Sequence, residues 1–94
     1  MKQAVYKYEF KAADAVTIPT HKIIKVLKFG KQNIEHGVLT LWALVDTETE
    51  PDADEVSIKI FGTGHPIPIY ETRLSKTFIE TVFDGPFVWH IFGF

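Results

Sequence analysis

Apolar and polar residues alternate with period two through most of the chain, a pattern that predicts strands. Tyr6, Tyr8 and Phe10 share one face of the first segment, and Val5, Lys7 and Glu9 the other. Val16 and Ile18 form a short second segment that ends at Pro19. Residues 38–45 are apolar on both faces, with Val38, Thr40, Trp42 and Leu44 set against Leu39, Leu41, Ala43 and Val45. Such a strand belongs in the middle of a sheet, covered on both sides. Val56, Ile58 and Ile60 alternate with Ser57 and Lys59, and Phe78, Ile79 and Val82 lie in a further β-prone run. In the last segment Phe87, Trp89 and Ile91 alternate with Val88, His90 and Phe92. Turn chemistry separates these runs at Glu35-His36-Gly37, through the acidic residues 46–55 and at Asp84-Gly85-Pro86. Asp84-Gly85 between two aromatic-rich segments predicts a hairpin with Phe83 and Phe87 flanking its turn.

Residues 20–30 read two ways. Their apolar positions fall at i, i+3 and i+4, with Thr20 placed as an N-cap and Gly30 as a C-terminal stop. That pattern describes a short helix. Against it, three of the apolar residues are β-branched and the lysines oppose part of the helix dipole, so the segment leans to strand. The chain is therefore expected to be all-β or mainly β, a small antiparallel sandwich or barrel of about six to seven strands.

Ninety-four residues allow one domain, spanning 1–94. The chain is 46% hydrophobic and 14% aromatic, enough for a core without metal or disulfide. It has no cysteine, and no cofactor is expected. The opening residues lack the apolar stretch of a signal peptide, and the longest apolar run, residues 41–45, is too short to span a bilayer. A cytoplasmic location without membrane contact follows as the expectation. Net charge is −2, and Arg73 is the lone arginine among ten basic residues, which argues against a nucleic-acid partner. Lys22, Lys25, Lys28 and Lys31 read as a solubilising cluster.

The best candidate for chemistry is Gly62-Thr63-Gly64-His65-Pro66, directly after an alternating strand. Glycines in such a turn can leave successive N–H groups open as an anion nest, flanked here by a hydroxyl and an imidazole. Gly62, Thr63, Gly64 and His65 are thus the expected ligand-binding residues, joined by Arg73 and by His90 if its strand lies beside the turn. The plain alternative is a strand-ending turn whose glycines only supply positive φ. No Walker loop or dinucleotide fingerprint is present. Four histidines at 21, 36, 65 and 90 lack the close spacing of a metal site, and the acidic residues 46–55 lack the glycine of a calcium loop. Thr63, His65 and Asp46 would make a triad only by chance, so no catalytic residue is assigned and the chain is read as non-enzymatic.

Phe83, Phe87, Trp89, Phe92 and Phe94 crowd the C-terminal stretch on both strand faces. A small domain cannot bury them all, so Phe87, Trp89, Phe92 and Phe94 are expected at an interface, that of a homo-oligomer.

Four blocks in order, Tyr6-Lys7-Tyr8-Glu9-Phe10, Leu41-Trp42-Ala43-Leu44-Val45-Asp46, residues 60–67 and Val88-Trp89-His90-Ile91-Phe92, carry a resemblance over nearly the whole chain. The chain resembles a family of short phage and prophage proteins of undetermined function. It departs from that pattern at Glu80, where a glycine is expected, and in its Phe92-Gly93-Phe94 tail, where an acidic residue is expected. The resemblance implies a viral accessory origin in a host cell and carries no activity. The expected role is a binding or inhibitor module that sequesters a small anionic (nucleotide) signal or a host protein. The alternatives are an assembly component acting through its aromatic C-terminal strand, and a small hydrolase.

Overall fold

The computed structural model describes residues 1–68 and 77–93. The described residues form seven strands: β1 (Gln3–Lys11), β2 (Ala15–Thr20), β3 (Lys22–Gly30), β4 (Val38–Asp46), β5 (Asp54–Gly62), β6 (Thr77–Asp84) and β7 (Phe87–Gly93). They build two antiparallel sheets, β1-β4-β3 and β2-β5-β7-β6, that face each other as a small β-sandwich. Of the two architectures the pattern allowed, the sandwich is the one adopted. No helix long and apolar enough to cross a membrane occurs among the described residues.

β4 is the middle strand of its sheet, as its two-sided apolar pattern requires. Leu39, Leu41, Ala43 and Val45 point into the sandwich and are fully buried. Phe10 pairs with Leu39 and Tyr8 with Leu41, so the even positions of β1 share that inward face. The other sheet answers with Ile18, Val56, Ile58, Ile60, Val82 and Ile91. The outward side of β4 is covered differently. Gln32 and Asn33 follow β3 at one edge, yet bond to Lys7 (2.7 Å) and Glu9 (3.3 Å) of β1 at the other. The β3–β4 connection therefore crosses β4, which explains why Val38 and Thr40 are buried on the solvent side.

Residues 22–30 are a strand, and the helix-like spacing within them has a β explanation. Register shifts fall between Ile23 and Lys25 and between Val26 and Lys28. Each shift adds one residue to β3, so Ile23, Val26 and Phe29 all pair with inward positions of β4 (Val45, Ala43 and Leu41). A period of three thus arises from alternation interrupted twice. At the preceding corner, the His21 N–H donates to the Tyr8 phenol at 3.2 Å, and the phenol lies 3.0 Å from His21 Nδ1. The phenol thus accepts from the main chain and pairs with the imidazole of the same residue.

The two outer surfaces differ in chemistry. On the three-stranded sheet, Lys7, Lys11, Lys22, Lys25 and Lys28 stand opposite outward positions of β4, with Trp42 between Lys7 and Lys28. On the four-stranded sheet, Phe92 sits edge-to-face between Phe61 (5.8 Å) and Phe78 (5.5 Å). Glu80 reaches Lys28 at 3.6 Å and ties the β6 edge of one sheet to the β3 edge of the other.

Candidate functional site

The glycine turn begins where β5 ends. Gly64 has φ of +83°, the left-handed value the third position of a type II turn needs, and the His65 N–H closes the turn onto Gly62 O at 3.1 Å. The Thr63 N–H donates to Val88 O at 3.3 Å. The expected nest of open amides is therefore corrected: two of its donors are already used within the fold. Recognition at this turn falls to side chains. A Cβ at Gly62 would stand 2.9 Å from His65 Cε1, so the missing side chain lets the imidazole lie against the main chain.

A cavity of about 260 Å³ opens here, lined by Gly62, Thr63, His65, Pro86, Phe87, Val88 and Trp89. Gly62 pairs with Trp89 in the sheet, which brings the turn at the end of β5 against the start of β7. The β6–β7 hairpin supplies the opposite wall. Its two-residue turn has Gly85 at φ +58° followed by Pro86, the arrangement of a II′ turn. Phe87 and Trp89 both occupy the inward phase of β7 and stack with centroids 5.8 Å apart at 18°. The cavity is thus an aromatic wall facing the Thr63 and His65 residues of the turn.

His90 lies on the other side of the sheet, because successive residues of a strand alternate. The His65 ring occupies the space a Gly62 side chain would fill, on the Trp89 side. The strand of His90 does lie beside the turn, but His65 and His90 stand on opposite faces of the sheet. His90 Nε2 lies 2.8 Å from Thr63 Oγ1, and Nδ1 lies 3.0 Å from Thr81 Oγ1. A neutral imidazole donates from one nitrogen and accepts at the other, so one threonine donates and the other accepts. When Nε2–H donates to Thr63, the Thr63 hydroxyl proton is released for a ligand.

Behind the aromatic wall lies a carboxylate. Asp84 is fully buried. Its Oδ2 accepts from Trp89 Nε1 at 3.0 Å and from the Gly37 N–H at 2.6 Å. Its Oδ1 lies 3.0 Å from Lys31 Nζ and 3.1 Å from His36 Nδ1. Burial pushes its pKa up. The bonds from Trp89, Gly37, His36 and Lys31 outweigh that and hold it well below the ordinary carboxylate range. Asp84 thereby fixes the Trp89 indole and clamps the β6–β7 hairpin to the β3–β4 connection. His36 completes the junction by setting its ring edge-on to Phe87 at 5.8 Å.

Of the residues expected to bind a ligand, Gly62, Thr63 and His65 line the cavity, Gly64 shapes the turn, and His90 touches Thr63 from behind. Arg73 lies outside the described residues, as does Phe94. The expected interface set is divided: Phe87 and Trp89 wall the cavity, whereas Phe92 lies on the outer aromatic face. No group of three or more metal-ligating side chains occurs among the described residues. Sequence reasoning took Asp84 for a turn residue and Lys31 for a solubilising one. The missed signal is phase: Asp84 follows Val82 at an inward position, where a carboxylate needs partners.

No curated protein and no solved structure matches this chain. A family model matches residues 1–93, and the chain accordingly belongs to the family described as a domain of unknown function, DUF7352.

Proposed function

We propose that this domain is a non-enzymatic binding module that seats a small planar anionic ligand of nucleotide type in the cavity beside the glycine turn. One observation carries the reading: the stacked Phe87–Trp89 pair and the Thr63 and His65 side chains converge on a single opening of about 260 Å³. That volume lies just under the usual range for ligand sites, about 300–1,000 Å³, and suits a compact ligand. An aromatic wall favours a base, since base–aromatic stacking contributes about 1–3 kcal/mol. Thr63 and His65 supply hydrogen bonds for a phosphate or a base edge. Asp84 supports this reading by holding the indole in place before any ligand arrives, which reduces the ordering lost on binding.

In this reading the module is a phage-type accessory protein that sequesters a nucleotide signal of a host defence system, with a host-protein surface as the alternative cargo. Thermal shift against linear and cyclic mono- and dinucleotides tests it. A stabilisation by one class, lost in Trp89→Ala and in Thr63→Ala/His65→Ala, is the expected result. No shift at millimolar concentration for any nucleotide sinks the proposal. Turnover of the bound nucleotide would sink its non-enzymatic part.

A further inference from the structure

We propose that the outer face of the β2-β5-β7-β6 sheet is the contact surface of a homodimer, in which a second copy of this chain packs face to face about a two-fold axis. The expected oligomer gains a location here, distinct from the cavity. Phe92 lies at the centre of the face with Phe61 and Phe78 edge-on against it, and these three rings meet across three adjacent strands. Phe78 is 52% exposed and Phe83 74% exposed. Both are on the edge strand β6, and aromatic side chains gathered on one face and open to water mark an interface. Polar residues accompany them, with His90 held between Thr63 and Thr81.

Charge selects the occupant. Among described outward positions of this sheet, Glu55 and Lys59 are the formally charged residues, and their signs cancel. Two copies of a face whose described charges cancel meet without net like-charge repulsion between those positions, and an isologous contact requires a patch that complements itself. The opposite surface of the sandwich cannot do this, because it sets five lysines against Glu9 and Asp46. Size agrees as well. The Cα extents are 43 × 33 × 17 Å, and the thin dimension is the stacking direction of the sheets. The broad faces therefore have room for the roughly 800 Å² per partner that a standard interface covers.

Sedimentation velocity of the wild-type chain over a micromolar concentration series is the first measurement, and it depends on no variant. A dimer is expected. Phe78→Glu/Phe83→Glu is expected to sediment as a monomer that still unfolds in one cooperative urea transition, its midpoint no longer dependent on protein concentration, because both positions are exposed. Lys25→Glu, on the opposite surface, is expected to remain dimeric. A wild-type monomer throughout the series overturns the proposal, as does a double variant that stays dimeric. A wild-type monomer that carries a different protein on this face overturns it equally. Neither Phe78 nor Phe83 lines the cavity, so ligand binding by the monomeric variant separates this outcome from that of the cavity reading.

Discussion

Replacing Asp84 by Asn probes the junction on which the cavity wall rests. The change is nearly isosteric, so its effect is electrostatic. Asn keeps one acceptor oxygen and turns an NH2 group toward donors that previously met a carboxylate. Lys31, whose side chain is 15% exposed, loses its counter-charge. Breaking a buried ion pair by removing one partner costs about 3–5 kcal/mol. The indole and amide bonds to a charged acceptor contribute about 1.5–3 kcal/mol each, but they share Oδ2, and Asn can retain part of one pair. These terms overlap, and a total of about 4 kcal/mol is expected, against a whole-domain stability of about 5–15 kcal/mol. At about 4–8 °C per kcal/mol for a domain of this size, Tm falls on the order of 20 °C. Urea unfolding followed by tryptophan fluorescence measures the loss directly, with an unchanged slope showing that the unfolded state is not altered. Adding Lys31→Met should recover part of the loss by removing the stranded cation. A loss under about 1 kcal/mol, the range of an exposed ion pair, refutes the reasoning.

Four further outcomes follow. The folded-state pKa of Asp84 is depressed, so its contribution is complete above the unfolded value of about 3.9 and is lost as pH falls through the folded value. Wild-type stability should therefore decline on acidification below about pH 4, with a smaller decline in Asp84→Asn, read from urea midpoints across pH. Gly62→Ala places a methyl against the His65 ring, which must swing away. Nucleotide-dependent thermal shift should weaken while the ligand-free Tm moves by only a few degrees. Leu41→Ala empties a fully buried position of the central strand and should cost about 2–5 kcal/mol in urea unfolding. Gly85→Ala combines a left-handed φ of +58° with a methyl directed at His36, and a loss of about 1–3 kcal/mol is expected.

Strand identity was legible in the sequence because a strand's side chains alternate whatever lies beyond it. The two-sided run at 38–45 marked β4 as central, and the Asp84-Gly85 pair marked the last hairpin, before any contact was known. Residues 22–30 were ambiguous for a definable reason. Two bulges convert alternation into a spacing of three, and a bulge is fixed by the partner strand, not by the strand that carries it.

The chemistry-bearing residues divide along the same line. The Gly62–His65 turn announced itself locally, since glycine at 64 serves a positive φ. That its Thr63 amide would be taken by Val88, or that His65 and His90 would lie on opposite sides of a sheet, depended on which strand became the neighbour of β5. Asp84, Lys31 and His36 are separated by up to 53 positions in the chain and meet only through the pairing of two connections. In the strands without bulges, alternation along the chain thus determined which residues share a face, because that follows from backbone geometry alone. Only the tertiary structure decided who meets whom, because donors and acceptors from distant segments find each other once the sheets have closed.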